Sequence, residues 1–321
     1  MLRITAFTPK LMFLSLLAIS FVACDKDDDN PTPPADETIA GAVIASANFT
    51  TLEAAVVKGD LKTTLEGPGP FTVFAPDDAA FTASGITNAT LNSLTKEQVS
   101  AILLYHTLGA RVPSTDVPAG PNAKVITASG DSVFVTKNAS GVFVNGIKVE
   151  QADIAASNGV IHQVEKVLLP PAGNLVEVAQ ADGSGLDSLV KAVVRANDGP
   201  GGNPALIATL QSGIFTVFAP TNDAFASLLS DLNLESVEEI PMDVLLAVLQ
   251  YHLVPARAFS SDLANGSLTM LASGNTTINL SDGANGGPSI TGTGNTKANI
   301  TATNIMARNG VVHVIDKVLL P

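Results

Sequence analysis

The sequence predicts an α+β fold built twice in tandem. The first observation is a repeat. Phe71-Thr72-Val73-Phe74-Ala75-Pro76, running on to Phe81, returns as Phe215-Thr216-Val217-Phe218-Ala219-Pro220, running on to Phe225. The second is that the repeat continues in order. Tyr105-His106 returns as Tyr251-His252, and Asn158 to His162 returns as Asn309 to His313, each closing on Lys-Val-Leu-Leu-Pro at 166–170 and 317–321. Three landmarks in the same order, twice, indicate a duplicated module. The third is internal to each copy: helical spacing fills the first half and short β-rich segments fill the second. Segregated helices and strands predict α+β rather than a parallel α/β sheet, and no glycine-rich phosphate loop follows any strand.

The organisation that follows is a leader at 1–23, a tether at 24–36, a first domain at 37–170, a linker at 171–173 and a second domain at 174–321. In the leader, Arg3 and Lys10 precede an apolar run from Leu11 to Val22 that ends at Ala23-Cys24. A positive start, a short apolar stretch and a small residue before the cut read as an export signal. The run is shorter than the roughly 20 residues a spanning helix needs. Phe21-Val22-Ala23-Cys24 resembles a bacterial lipobox with Phe in place of the usual Leu, which makes Cys24 the expected site of lipidation and membrane anchoring. Cys24 is the single cysteine, so no internal disulfide framework exists. The aspartates at 25 and 27–29 and the prolines at 31, 33 and 34 cannot bury enough apolar surface to fold, and so read as a tether. The acidic run is similar to the export tag of Bacteroidetes-type lipoproteins, which implies the outer face of the outer membrane.

In the first copy, Thr38 to Ala47 reads as a short helix, and Leu52, Ala55, Val56, Leu61 and Leu65 as the face of the next helical pair. Gly67-Pro68-Gly69-Pro70 stops it. Phe71 to Ala75 is a strand ended by Pro76, and Asp77 or Asp78 caps the helix bearing Phe81. Thr95 with Gln98 forms a capping box for a helix that carries Val99, Ile102, Leu103 and His106 to about Gly109. Short β segments follow at 125–127, 133–136, 142–144 and 147–149, with turns at Ser129-Gly130 and Asn145-Gly146. Val160 to Leu169 closes the copy.

The second copy repeats this with helices at 175–179 and 186–196, the latter with Leu189, Val190, Val193 and Val194 as its apolar face. Ser236 and Glu239 suit a capping box, Pro241 starts the helix that runs to His252, and much of the extra length sits in a Gly/Asn/Thr-rich hairpin tip or loop at 283–295. Glu177, Arg195, Arg257 and Lys297 read as ordinary surface charge.

Taken together, the repeated Phe-Thr-Val-Phe-Ala-Pro segment, the Tyr-His pair and the closing Gly-Val-(Val/Ile)-His segment resemble the fasciclin domain. The resemblance covers about 37–170 and 174–321. It implies that each copy is a wedge-like, seven-stranded β-sandwich with helices packed at one side, its first and last landmarks lying together in the core. Phe71, Phe74, Pro76, Phe81, His162, Phe215, Phe218, Pro220, Phe225 and His313 are then structural landmarks. Adhesive contacts in animal members, carried over to this chain, fall on Tyr105, His106 and Leu108 and on Tyr251, His252 and Leu253.

Composition narrows the function. A net charge of −13 argues against nucleic acid and anionic membrane faces as partners. With no Trp and two Tyr, platforms for stacking sugars are scarce. The four histidines all lie in repeated landmarks within apolar surroundings, where an imidazole bonded to a backbone carbonyl is the simpler reading than a metal pair or a general base. Asp153, Glu165 and Asp316 are available, but nothing in their spacing singles them out. No serine elbow or zinc-helix motif is present, so no catalytic, cofactor or metal residues are expected. The leading expectation is a non-catalytic, surface-anchored adhesion or ligand-binding lipoprotein, its partner an extracellular protein, a glycan or a neighbouring cell. A periplasm-facing structural lipoprotein and an accessory polysaccharide-binding lipoprotein are the alternatives.

Overall fold

The structure, a computed structural model, describes residues 37–181, 183–272, 274–294 and 296–321. The leader, Cys24 and the acidic tether lie outside the described residues.

Each copy holds a continuous ribbon of seven strands. In the first these are β1 (Phe71–Pro76), β2 (Thr107–Leu108), β3 (Gly120–Ile126), β4 (Ser132–Asn138), β5 (Gly141–Val144), β6 (Ile147–Ala156) and β7 (Gly159–Val164). Their order is β2-β1-β7-β6-β5-β4-β3. The second copy repeats it with β8 (Phe215–Pro220), β9 (Leu253–Val254), β10 (Gly266–Thr269), β11 (Asn275–Asn279), β12 (Ser289–Thr291), β13 (Lys297–Ala307) and β14 (Gly310–Ile315), ordered β10-β11-β12-β13-β14-β8-β9.

Hairpins join the strands from β3 to β7, and the turns after β3 and β5 use residues that accept positive φ: Gly130 in the first, Asn145 and Gly146 in the second. The exception to antiparallel pairing is the landmark pair. β1 runs parallel to β7, with Phe74 opposite His162, and β8 runs parallel to β14, with Phe218 opposite His313. A parallel pair needs a long crossover, and here everything between the two landmarks supplies it. β6 pairs with β5 at its start and β7 at its end, with register shifts between Val149 and Ile154. Bulges of this kind bend a strand, and the bend folds the ribbon into the two leaves of a sandwich. Asp153 and its counterpart Asn304 sit at these bulges with positive φ.

Two apolar clusters result in each copy. Between the leaves of the first lie Phe74, Tyr105, Leu108, Val133, Val135, Val144, Val164 and Leu168. On the other side of β1 and β7, helices Ile39–Ala45, Thr50–Lys58, Asp78–Ala83 and Lys96–Tyr105 bury Ile39, Leu52, Val56, Phe81, Val99 and Leu103 against Val73 and Ile161. This is the expected sandwich with helices at one side. Thr95 and Gln98 form both bonds of the capping box. Asp77 caps the Phe81 helix, while Asp78 instead accepts from the backbone of Thr50 and Thr51.

Several local expectations change. Helix Lys96–Tyr105 stops four residues before Gly109, with His106 as its cap. Helices Asn88–Ser93 and Leu206–Ser212 were not visible in the pattern. Ser236 precedes only a 3₁₀ turn, Val237–Glu239, and makes no capping bond to its backbone. Helix Asp187–Asp198 buries Leu189, Ala192 and Ala196, leaving Val194 exposed; two alanines let it pack closely where the larger valines marked the expected face. Of the two readings of 283–295, hairpin tip or loop, the hairpin fits, since the segment carries β12, antiparallel to β11 and β13.

The parallel pair sets a steric condition. A Cβ on Gly159 would collide with the Phe71 carbonyl and the Ile39 side chain, and one on Gly310 with the Phe215 carbonyl and Leu175. Gly159→Ala or Gly310→Ala is expected to destabilise its copy by about 2–3 kcal/mol. Gly109→Ala, where a Cβ meets open space, should change stability by less than about 0.5 kcal/mol. Urea denaturation of the three variants measures the difference.

Candidate functional site

All six residues at which the resemblance implied adhesive contacts are buried: Tyr105, His106, Leu108, Tyr251, His252 and Leu253. A partner cannot reach them in this conformation, so their placement on a contact surface is corrected. Tyr105 ends its helix and drops between the leaves, where its hydroxyl donates to the Ser132 carbonyl at 3.1 Å and accepts from Asn145 Nδ2 at 2.9 Å. Burial pushes its phenol up to about 12. Tyr251 does the same with the Asn275 carbonyl at 2.8 Å and the Thr293 N–H at 3.0 Å. The next residue points to the closing segment. His106 Nδ1–H donates to the Ile102 carbonyl at 2.8 Å, and Nε2 accepts from Leu168 N–H at 2.9 Å. His252 repeats this with Val248 and Leu319. The Tyr-His pair therefore fastens helix, sandwich and chain end together.

The landmark histidines His162 and His313 use the opposite tautomer. Nδ1 accepts from the bulge N–H of Asp153 or Asn304, and Nε2–H donates to the carbonyl of Val112 or Ala258. Each also stacks on the Phe of its parallel partner strand, with centroids 5.8 Å apart for Phe74 and 5.4 Å for Phe218. Every ring nitrogen of the four histidines is engaged with backbone, which leaves none for a metal ion or a proton transfer. Among the described residues no group of three or more His, Cys, Asp or Glu side chains could hold a metal. The carboxylates of Asp153, Glu165 and Asp316 accept from Ser114, Lys148 and Asn299, binding loop and strand backbone.

Residues of both copies meet at the outer face of β4. The Arg257 guanidinium lies 4.2 Å over the Phe134 ring while its nitrogens donate to the carbonyls of Ala307, Arg308 and Gly310. Phe259 packs beside the same ring at 6.1 Å. Asn122 Nδ2 donates to the Arg257 carbonyl at 2.8 Å, Thr136 Oγ1 to Asp262 at 2.8 Å and Asn138 Nδ2 to the Ser261 carbonyl at 3.0 Å. From the second copy, Asn304 Nδ2 reaches the Gly146 carbonyl at 3.3 Å. Beside this contact runs a groove of about 580 Å³ lined by both copies. Leu169, Pro170, Ile305 and Met306 form its apolar wall. Leu169 is 55% exposed and Ile305 38%.

The fasciclin domain family matches residues 47–170 and 203–321. The chain belongs to the fasciclin-domain family. Among its relatives, protein sll1483 of Synechocystis sp. is 37% identical over 42% of this chain and 74% of its own length. Human periostin is 28% identical over 81% of this chain, and rat stabilin-2 is 32% identical over 62%. The chain spans only 29% of periostin and 14% of stabilin-2. A solved domain pair from the insect cell adhesion molecule fasciclin I is 19% identical and covers 85% of this chain and 97% of that one, with a TM-score of 0.41.

Within the fasciclin modules, the side chains read as plain surface charge all have partners. Glu177 completes a capping box with Asn174, Arg195 holds the carbonyls of Val237 and Ile240, and Lys297 pairs with Asp282. Arg257 is half of the contact between modules. A signal for it was present: an Ala-Arg pair follows each Tyr-His, at Ala110-Arg111 and Ala256-Arg257, and Arg111 likewise donates to the Gly159 carbonyl at 2.9 Å. Asn158 and Asn309 carried more than their turns suggested. Each accepts from the first N–H of a helix, at Ile39 or Leu175, and donates to the carbonyls that end the third helix of its module.

Arg257→Ala removes the cation–π contact and three charge-assisted bonds to carbonyls. Unfolding in urea is expected to become broader or biphasic as the modules uncouple, with a loss of about 2–3 kcal/mol in the second. Arg257→Lys should recover only part, because an ammonium lacks the planar fork.

Burial lowers the imidazoles of His106, His252 and His313 from 6.5 to about 4. Between those values the unfolded chain binds more protons than the folded one, so stability falls as pH drops from about 6.5 to about 4. Each histidine contributes a slope of up to about 1.4 kcal/mol per pH unit. Denaturation midpoints measured across that range should fall steeply, and His106→Gln should lessen the slope while lowering stability at pH 7.

Proposed function

We propose that this chain is a non-catalytic adhesion or ligand-binding protein that presents two fasciclin modules to one partner. The observation that carries the reading is the groove between the modules: it is concave, both copies line it, and it exposes Leu169 and Ile305 beside polar backbone at Asn145-Gly146. An apolar wall beside polar backbone suits a protein or peptide partner. The contact through Arg257 and Phe134 keeps the two walls of the groove in register, so binding loses little entropy to domain rearrangement. The absence of a free histidine nitrogen speaks for recognition over chemistry.

The finer reading is a lipoprotein. Cys24 follows an apolar stretch, and the acidic, proline-containing run after it suits a tether that holds the modules off the membrane. Among the described residues no helix is long and apolar enough to cross a bilayer. The acidic tether favours the outward face of an outer membrane, with matrix proteins, glycans or neighbouring cells as partners.

Metabolic labelling with a radiolabelled fatty acid should mark the wild-type chain and not Cys24→Ser, and externally added protease should remove the modules from intact cells. Saturable binding of the chain to a panel of matrix proteins, glycans, peptidoglycan and sister cells should weaken at least tenfold in the Leu169→Asp/Ile305→Asp double variant, with folding retained. Protection from protease would sink the outward-facing reading. Binding unaffected by the double variant would remove the groove from the contact.

A further inference from the structure

The space between the two leaves of the first module is incompletely filled. A cavity of about 220 Å³ is walled by all seven strands and by the loop after β2, with Phe74, Val125, Val135, Val142 and Val149 prominent among its walls. Four valines from four different strands make a smooth apolar lining. The polar groups of His162 and Ser114 are already committed. His162 has both ring nitrogens bonded to backbone, and the Ser114 hydroxyl and N–H both donate to the Asp153 carboxylate. Asp116 and Lys124, of opposite sign, contribute to the rim.

We propose that this cavity is a binding site for a small uncharged apolar molecule or group, an aromatic ring or a short alkyl chain. Three arguments fix that class. The volume exceeds the 150 Å³ of an apolar cavity known to stay dry and admit benzene, so a ring or roughly six to eight carbons fits. Valine side chains make up much of the wall, and the His162 ring and Ser114 are already bonded, which penalises a polar occupant. The two rim charges offset one another and select no charged head group.

The site is distinct from the groove between the modules and stands or falls independently of it. The two share β4, however. Val135 faces the cavity, while Phe134 and Thr136, on the alternate face of the strand, hold Arg257 and Asp262. An occupant therefore packs against the back of the strand on which the second module rests.

The second module carries larger side chains at the equivalent positions. By ladder position, Val125, Val135 and Val149 correspond to Leu268, Ile278 and Ile300, each larger by a methylene. The test is a titration of the full chain with benzene, followed through valine methyl resonances, with glucose as a polar control. Saturable shifts confined to Val125, Val135, Val142 and Val149 are expected, with no response to glucose. Val135→Ile/Val149→Ile should weaken benzene binding at least tenfold and raise the melting temperature without ligand. Val125→Leu, on a third strand, should do the same in smaller measure, which guards against misfolding of the double variant. Absence of saturable shifts in the wild type, or undiminished binding in both filled variants, would overturn the proposal.

Discussion

The parallel pairing of the first and last strands is the constraint on which each module depends. β1 and β7 are separated by more than eighty residues of chain, so their ladder closes a long loop, an entropic cost that the helices and hairpins between them offset. Once formed, it divides the module into two cores, the helices on one face and the second leaf on the other. A strand buried on both faces must be apolar throughout, and Phe-Thr-Val-Phe-Ala-Pro is nearly that. Its one hydroxyl, Thr72 or Thr216, is fully buried and bonded at both capacities, to the Ala110 carbonyl and Val112 N–H in one copy and to the Ala256 carbonyl and Ala258 N–H in the other. The polar exception in the strand thus tethers the loop that leads out of β2.

The remaining landmarks serve the same ladder. Glycine at 159 and 310 permits the close approach, and the asparagine before it satisfies the helix ends that crowd the start of the strand. The histidines split by tautomer. One pair, at 106 and 252, accepts an N–H from the closing segment, and the other, at 162 and 313, accepts from the bulge of the bent strand. Each ring is bonded once as donor and once as acceptor, an arrangement only the neutral form satisfies at 106, 252 and 313. This explains why repetition of histidine in a sequence can report architecture as strongly as chemistry: a buried imidazole is a compact means of joining two backbone segments that have no ladder between them.

Most of the fold could be read from the sequence because its signals are local or duplicated. The strands around Phe74 and Phe218, the Thr95 capping box and the Asn145-Gly146 turn follow from residue type and spacing alone. What escaped depended on geometry across the chain. Ala192 and Ala196 are core positions because a neighbouring helix lies close, which hydrophobicity does not encode. Arg257 looked like solvated charge because its partners are carbonyls and the face of Phe134, which no charge pairing in the sequence marks; only the recurrence of Ala-Arg after each Tyr-His sets it apart. The family resemblance located the Tyr-His pair correctly within the module, yet a contact role requires exposure, and exposure is set by the two cores that close over those side chains.

Duplication also explains where the two copies differ. The bulge residue is Asp153 in one and Asn304 in the other. The first, a carboxylate, can only accept, and it binds the Ser114 N–H and hydroxyl within its own module. The amide can donate as well, and Asn304 uses its nitrogen to reach the Gly146 carbonyl of the first module while its oxygen still accepts from Ser260 N–H. Likewise Phe134 stands where the second copy has Thr277 on the outer face of the equivalent strand, giving Arg257 a ring to cover. An exposed phenylalanine on an edge-proximal strand would be a liability in a solitary module. In the pair it is the point at which one module seats the other. The outer faces, free of the constraints that fix the cores, are where a repeated domain can acquire the asymmetry that makes two copies into one binding unit.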